Sequence, residues 1–246
     1  MRYAILSDIH ANREALEAVL ADMAGQGIDG LIVLGDIVGY GADPGWCCDA
    51  IMTRVAAGAI CVRGNHDTAA AARADGMSAN ARRAIDWTRA QLSLDQQGFL
   101  GALPLVARLG EVALVHASMN EPEAWSYVTS DTRALPSFRA TDARLILCGH
   151  VHIPLLASRD PGGTVRQIGF GIGQPVPLLP SRRWLAVVGA VGQPRDGSPQ
   201  AGWAILDSAA NTLMFRRTPY DVAGAAAKIR AAGLPDDLAT RILTGR

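Results

Sequence analysis

Three short apolar runs near the N-terminus constrain the fold more than any other feature of the chain. They occupy residues 3–6, 31–34 and 59–62, and each has the length of a buried strand. Amphipathic helical patterns separate them, over residues from about 13 to 25 and from about 44 to 57. This β-α-β-α-β order predicts a parallel sheet with right-handed crossover connections.

The rest of the chain is less regular. Residues 78–102 have a helical pattern that Pro104 ends, whereas residues 119–140 lack clear periodicity and are predicted to form a long functional loop. We interpret residues 1–246 as a single domain, in which residues 221–246 are a C-terminal helical appendage with a packing or dimer role. Gly and Pro punctuate the remaining predicted strands, which are residues 112–115, 145–148, 153–158, 164–168, 184–191, 201–206 and 211–217.

The composition argues against several classes of function. The chain has 246 residues, of which 49% are hydrophobic and 19% charged, as in an ordinary globular protein. The formal net charge is zero, so we expect no dedicated nucleic-acid surface and no attraction to an anionic membrane. No apolar run is long enough to span a bilayer, and the N-terminus lacks a signal-peptide pattern, so we expect a cytoplasmic protein. The four cysteines lack CxxC spacing and are expected to be buried free thiols.

All five histidines fall in short motifs that also carry aspartate or asparagine, or follow a predicted strand. Taken singly, these motifs have ordinary alternatives, because polar residues are common in loops and Asn and Asp favour turns. Mixed nitrogen and oxygen donors, however, suit divalent ions such as Mn, Fe, Zn and Ni. The combination therefore predicts metal-assisted hydrolysis. The motifs are Asp8-Ile9-His10, Gly35-Asp36, Gly64-Asn65-His66-Asp67, His116 and Gly149-His150-Val151-His152.

The motifs gain weight from their positions at the ends of predicted strands. Asp8, Asp36 and Asn65 each follow the last apolar residue of a parallel strand, and the carboxyl ends of such strands form the ligand-binding edge of an open α/β sheet. His116 and His150 follow two later strands in the same way. Residues two apart in an extended segment point to the same side, so Asp8 with His10, and His150 with His152, can face one centre.

These five motifs, in this order, resemble the signature of the calcineurin-like metallophosphoesterase superfamily over residues 1 to about 217. The resemblance implies an α/β fold, a four-layer αββα sandwich with two mixed β-sheets flanked by helices. It also implies two divalent metal ions, with Mn2+ as the first choice and Fe, Zn, Ni or Mg as alternatives. Carried over position by position, it assigns one metal to Asp8, His10 and His152, the other to Asn65, His116 and His150, with Asp36 as the bridge and His66 left unligated.

Within this family the chain is most similar to a bacterial branch labelled phosphodiesterase or diadenosine tetraphosphatase-like. Gly39-Tyr40-Gly41 and the segment 192–197 are typical of that branch. Two departures bear on substrate choice. Gly39 and Tyr40 stand where protein phosphatases carry an Asp that orients the free histidine and an Arg that grips phosphate. Val187-Val188-Gly189-Ala190 stands where related sequences carry Asn-Pro-Gly-Ser.

The resemblance implies hydrolysis of phosphomonoesters or phosphodiesters by a metal-bridging hydroxide. In that scheme His66 is the general acid and Asp67 orients its ring. Tyr40, Arg63 and Arg195 are the predicted substrate-binding residues, and Trp125 and Tyr127 are further candidates to line the pocket. The expected partner is a small phosphorylated substrate, and a homodimer is left open.

Two alternatives to this scheme stay open. One is a non-catalytic interaction module that uses the same fold. The other is a phosphatase that acts on proteins or dinucleoside polyphosphates.

Overall fold

The computed structural model describes residues 1–72 and 79–246. Within these residues two mixed six-stranded sheets form the centre of the protein. The strands are β1 (Arg2–Leu6), β2 (Gly30–Val33), β3 (Ile60–Cys61), β4 (Val106–Leu109), β5 (Val112–Val115), β6 (Leu145–Cys148), β7 (Leu155–Arg159), β8 (Val165–Gln167), β9 (Pro175–Pro177), β10 (Arg183–Val187), β11 (Ala201–Asp207) and β12 (Thr212–Thr218). The helices are α1 (Arg13–Ala24), α2 (Pro44–Ala56), α3 (Asn65–Ala71), α4 (Ala79–Gln91), α5 (Leu94–Ala102), α6 (Asp131–Ala140), α7 (Val222–Ala231) and α8 (Asp236–Thr244).

Each sheet has a parallel part that carries the predicted ligands. The first sheet has the order β3-β2-β1-β11-β12-β9, in which β1, β2 and β3 are parallel and the other pairs are antiparallel. The second has the order β4-β5-β6-β10-β7-β8, in which β5, β6 and β10 are parallel. The predicted β-α-β-α-β unit is therefore present, and a second parallel group lies in the other sheet.

Alternate residues of the central strands pack on opposite sides, which produces four layers. In β1, Leu6 packs with α1 and α2, whereas Ile5 packs between the two sheets. In β6, Leu147 packs between the sheets, whereas Ile146 packs against Phe138 of α6. Both sheets thus bury two faces, one against helices and one against the other sheet. This arrangement is the predicted αββα sandwich, and the prediction is confirmed.

The C-terminal helices cover the first crossover connection. Their apolar residues form one cluster with Ala84 of α4 and with Tyr40 in the turn after β2. The Lys228 ammonium group of α7 lies 3.0 Å from the Asp43 carboxylate and also pairs with Glu14 of α1. The helices predicted for this segment are present, and they pack close to the turn that follows Asp36.

The predicted loop over residues 119–140 is wrong in its second half. Residues 131–140 form α6, where the Ser130 hydroxyl accepts the N–H group of Arg133 as an N-cap. Pro136 lies inside this helix and obscures its pattern, because proline is disfavoured in helix interiors. The predicted helix over 78–102 is two helices, since the Ser93 capping box starts a new one. Residue 78 lies outside the described residues.

Two short strands, β4 and β9, were not predicted from the sequence. Each lies at an edge of its sheet. In the described parts of the chain, no helix combines the length and the apolar character that crossing a membrane requires.

Candidate metal centre

The predicted ligands converge where the parallel strands of both sheets end. Asp8, His10 and Asp36 lie in turns after the strands of the first sheet, and His116 and His150 follow strands of the second. In each of three buried sets, the potential ligand atoms lie within 4.8 Å of one another. The sets are Asp8 with His10 and His152, Asp36 with His116 and His150, and His10 with Asp36 and His66.

Backbone carbonyl groups orient three of the imidazole rings. The Nδ1 atom of His10 lies 3.3 Å from the Val38 carbonyl oxygen, and that of His116 lies 2.7 Å from the Leu34 carbonyl oxygen. The Nδ1 atom of His152 lies 2.6 Å from the carbonyl oxygen of Gln193. A carbonyl can only accept, so each Nδ1 carries a proton, and in the neutral ring Nε2 then presents a lone pair. Hydrogen bonds of this kind, from the second ring nitrogen to a carbonyl group, usually orient histidines that bind metals.

Ring nitrogens of neighbouring imidazoles lie close together, and in the neutral rings a cation between them would accept their lone pairs. The Nε2 atoms of His10 and His152 are 3.0 Å apart, and Nε2 of His116 lies 3.2 Å from Nδ1 of His150. Within the described residues, Asp8 Oδ1, Asn65 Oδ1 and His150 Nε2 are buried without a hydrogen-bond partner. Buried polar atoms without a partner are rare and costly. The residues present therefore fit divalent metal binding.

The Asp36 carboxylate lies between His116 of its own set and His10 of the set that contains Asp8. Its Oδ2 atom lies 3.3 Å from His116 Nε2 and 3.7 Å from His10 Nε2, while its Oδ1 accepts the His66 N–H group at 2.8 Å. Burial raises the pKa of Asp36, but the neighbouring His116 and His66 outweigh it and hold the pKa well below the usual value. An ionised carboxylate between two donor sets is what a bridging ligand requires.

The electrostatics of the ligands reflect this crowding. Burial lowers the pKa of His116, but the carboxylates of Asp36 and Asp8 outweigh it and raise the pKa to about 9. Burial, with the neighbouring His116, lowers the pKa of His150 to about 3. The pKa values of the two imidazoles of this set thus shift in opposite directions, because the carboxylates outweigh burial at His116 but not at His150.

His66 lies beside the ligands, with its ring packed against two aromatic neighbours. Its ring centroid is 4.9 Å from that of His10 and 4.3 Å from that of Tyr40. The Nδ1 atom is buried, has no hydrogen-bond partner within the described residues, and faces the backbone of Gly39. Gly39, which stands in the segment where the resemblance would place an orienting Asp, therefore lies directly beside this atom. Burial lowers the pKa of His66 to about 4.

The structure gives Asp67 a different task from orienting the His66 ring. Its two carboxylate oxygens accept the N–H groups of Asp36, Ile37 and Gly64 at 2.8, 2.9 and 3.0 Å, and of Val38 at 3.3 Å. The prediction of Asp67 as a catalytic residue therefore needs correction, because its carboxylate holds the turn that carries Asp36. The motif was informative, but sequence spacing could not show where the side chain points.

The three predicted substrate-binding residues do not all lie at the same place. Tyr40 packs on His10 and His66, and the Arg195 guanidinium lies 5.9 Å above the Tyr40 ring. Arg63 instead donates to the Gly101 carbonyl oxygen at 2.7 Å, at the carboxyl end of α5. Tyr40 and Arg195 therefore lie near His10 and His66, whereas the Arg63 guanidinium is bound at the carboxyl end of α5.

The turns that present the ligands have strained backbones. Asp8, His10, Asp36, His150 and His152 adopt φ angles between 49° and 67°, in the left-handed region. Residues with a Cβ atom seldom adopt this conformation, which costs of order 1–3 kcal/mol each and clusters at functional sites. The sequence analysis assumed extended backbone here, and these φ angles show that this assumption is wrong.

The segment 187–190, where related sequences carry polar residues, is part of the core. Val187, Val188 and Ala190 are buried, and Val188 packs between the two sheets. Gly189 has a φ angle of +96° and lies against Pro154. The exchange for apolar residues therefore concerns packing beneath the site, and these side chains do not offer polar contacts to a ligand.

We expect Gly149→Ala to disrupt the centre, because a Cβ atom there would meet Ser7 Oγ and the Asp8 carboxylate. The expected loss is about 1–3 kcal/mol of unfolding free energy from overpacking, with weaker metal binding. Gly98→Ala is the matched control, since nothing lies within 4 Å of its added methyl group and the helical position gains about 0.5–1 kcal/mol. Urea denaturation and calorimetric metal titration measure both effects, and wild-type metal affinity in Gly149→Ala would contradict the expectation.

Comparisons with known proteins agree with this geometry. Residues 1–211 match the calcineurin-like phosphoesterase superfamily domain. An uncharacterized protein of Methanocaldococcus jannaschii is 35% identical over 249 residues, which cover 99% of this chain and 98% of that protein.

Solved structures extend the likeness to the whole fold. A metallophosphoesterase from Sphaerobacter thermophilus has a TM-score of 0.89 at 38% identity, covering 100% of this chain and 99% of that one. A hypothetical protein from Pyrococcus horikoshii OT3 shares the fold, with a TM-score of 0.78 at 19% identity and coverage of 100% and 98%. The chain belongs to the calcineurin-like phosphoesterase superfamily, as its motifs predicted.

Proposed function

We propose that this protein is a phosphoesterase that uses two divalent metal ions to hydrolyse phosphomonoesters or phosphodiesters. The observation that carries the proposal is the Asp36 carboxylate, which lies between His116 of one buried set and His10 of another. Asp8, His10 and His152 would hold one ion, and Asn65, His116 and His150 the other. Histidine and carboxylate donors accept several ions, and Mn2+ is our first candidate.

The bound ions would supply a nucleophilic hydroxide near neutral pH and would offset charge on the phosphoryl oxygens. The protein's own groups keep the ligands ready for this task. Carbonyl oxygens of Leu34, Val38 and Gln193 fix three imidazole tautomers, and Asp67 holds the turn of Asp36. Preorganised groups of this kind need little rearrangement at the moment of reaction.

His66 is the proposed general acid. Its Nδ1 atom lies against Gly39, which leaves Nε2 as the nitrogen that can pass a proton to the leaving oxygen. Burial disfavours the protonated ring, whereas the nearby Asp36 carboxylate favours it, and an anionic phosphoryl group would add to the second effect. Arg195, close to Tyr40, is the proposed contact for the phosphoryl oxygens.

The alternatives predict different outcomes in one experiment. The metal-free protein is loaded with Mn2+, Fe2+, Zn2+, Ni2+ or Mg2+ and assayed with bis-p-nitrophenyl phosphate, p-nitrophenyl phosphate, a phosphopeptide and a dinucleoside polyphosphate. We expect metal-dependent release of p-nitrophenolate from at least one of the two small esters. Turnover of the phosphopeptide or the polyphosphate alone would favour the phosphatase alternative, and absence of hydrolysis with every ion would support the interaction module.

Asp36→Asn is expected to abolish binding of the metal pair, because the carboxylate between the two sets is lost. Metal content after dialysis and the metal-induced rise in melting temperature measure the effect, since an ion that binds only the native state raises stability. Asp142→Asn is the matched control, because Asp142 is an exposed carboxylate paired with Arg108. Two ions retained per chain in Asp36→Asn would argue against the dinuclear assignment.

His66→Asn is expected to keep its metal and to lose on the order of a hundredfold in rate on esters with poor leaving groups. The loss should be much smaller for p-nitrophenyl esters, because their leaving oxygen departs without a proton. Phenyl and p-nitrophenyl phosphate measured in parallel, with metal analysis of the same sample, separate these effects. A wild-type rate on phenyl phosphate would remove His66 from the mechanism.

A further inference from the structure

An exposed aromatic ring covers one of the candidate ligands. The ring of Tyr127 stacks on the imidazole of His150 with a centroid distance of 4.2 Å and an interplanar angle of 22°. Nevertheless 53% of Tyr127 is exposed to solvent, among the highest values for a large apolar or aromatic side chain in the described residues. A ring that served only to shield His150 would be expected to bury itself. Tyr127 instead offers a flat surface at the edge of the metal centre.

The segment that carries Tyr127 holds a second aromatic ring at the same edge. Trp125 lies with its ring centroid 6.0 Å from that of His116, at an interplanar angle of 69°. Trp125 and Glu121 both adopt left-handed backbone conformations, with φ angles of 51° and 49°. Such conformations cost free energy and are retained where surrounding structure fixes them.

The base of this segment is anchored to α6. The Ser118 and Ser137 hydroxyls are 2.9 Å apart, and the Met119 N–H group donates to Ser137 Oγ at 3.1 Å. Val128, next to Tyr127, is buried against the second sheet. The two aromatic rings are therefore presented by a fixed segment.

A different chemistry lies beside the other set of ligands. Tyr40 packs on His10 and His66, and the Arg195 guanidinium lies above it. Positive charge thus lies near His10 and His66, whereas uncharged aromatic surface lies near His116 and His150. A substrate with an anionic phosphoryl group and a flat apolar group would match both.

We propose that the substrate is a phosphodiester and that a planar aromatic group stacks on Tyr127, which Trp125 flanks. This aromatic group belongs to the alcohol that stays bound to phosphorus, not to the leaving group. The inference rests on the proposed function and specifies its substrate class, namely phosphodiesters that carry an aryl group or a nucleobase. A tyrosine ring prefers flat π partners over alkyl groups, and stacking of a base on an aromatic side chain is a widespread mode of recognition.

Three phosphodiesters with one leaving group test the proposal. They are the p-nitrophenyl phosphates of ethanol, phenol and thymidine (through its 5′-oxygen), so only the retained group differs. In the wild-type protein loaded with Mn2+, we expect kcat/KM to favour the phenyl or thymidine ester over the ethyl ester. Tyr127→Leu should reduce that preference roughly tenfold, because leucine retains apolar area but not a flat ring. The change should fall on KM, since the contact is the same in the ground and transition states.

Two variants serve as controls. Tyr127→Phe keeps the ring and should keep the preference, while Leu94→Ala removes an exposed apolar side chain on α5 and should leave it unchanged. If the role of Tyr127 were only structural, the substitution would change kcat/KM equally for all three esters and leave the ratios between them unchanged. Unchanged ratios in Tyr127→Leu would therefore overturn the proposal. If Tyr127→Leu reduces the preference for both the phenyl and the thymidine ester, the surface binds aromatic groups in general. If it reduces the preference for only the thymidine ester or only the phenyl ester, the surface is specific for nucleobases or for aryl groups, respectively.

Failure of the proposed function itself would look different. In that case no ester is hydrolysed with any ion, and the inference is judged by binding of phenylphosphonate and ethylphosphonate to the Mn2+-loaded protein, measured by calorimetry. Tighter binding of phenylphosphonate that Tyr127→Leu removes would support the aromatic surface. Equal affinities of the two phosphonates would overturn it.

Discussion

The buried carboxylate of Asp67 is the interaction on which the geometry of the centre depends. It accepts hydrogen bonds from N–H groups at the start of α3 and in the turn after β2. Carbonyl groups of that same turn accept hydrogen bonds from the segment that follows β1. The N–H groups of Asp8 and His10 donate to the carbonyl oxygens of Gly35 and Asp36 at 3.0 and 2.9 Å. Three strand ends are thereby tied together around one side chain. Burial and the Asp36 carboxylate raise the pKa of Asp67 to about 7, while the N–H groups lower it.

The rest of the centre is held in a state that the protein alone does not favour. Carboxylates and imidazoles are buried close together, and several of them adopt left-handed backbone conformations. Burying charges and unpartnered polar groups costs free energy unless opposite charge is supplied. A cation would supply it, and metal binding of this kind couples directly to the stability of the fold. Strain and repulsion at one end of the sheets are offset by the apolar packing of the four layers.

The sequence predicted the parts of the structure that follow from strand position. Asp8, Asp36 and His116 lie where the end of an apolar run placed them, because the carboxyl ends of parallel strands share one edge. Asn65 is the first residue of α3, and residues 62–64 separate it from the end of β3. The four layers follow from strands that bury both faces. Helix α6 was missed because Pro136 interrupts its pattern.

Other parts could not be read from the sequence, since they depend on backbone atoms or on side-chain direction. The carbonyl oxygens that orient His10, His116 and His152 belong to residues whose side chains carry no signal. Side-chain direction determines the four hydrogen bonds of Asp67 and the hydrogen bond of Arg63 to α5. In both cases the residue type was suited to the predicted role, and tertiary contacts gave it another.

The predicted metal ligands and the predicted substrate-contacting side chains lie in different kinds of segment. The residues that would carry out the reaction are therefore distinct from those that would select the substrate. The predicted ligands lie in turns after strand ends, and hydrogen bonds between these turns and to the Asp67 carboxylate hold them, so their positions follow from the fold. Tyr127, Trp125 and Arg195 lie in connections between elements, which can change without disturbing the sheets. A shared metal chemistry with variable flanking segments allows one fold to serve many substrates. Segments 117–130 and 192–197, which carry these three side chains, would therefore select the substrate, while the predicted ligands would supply the chemistry.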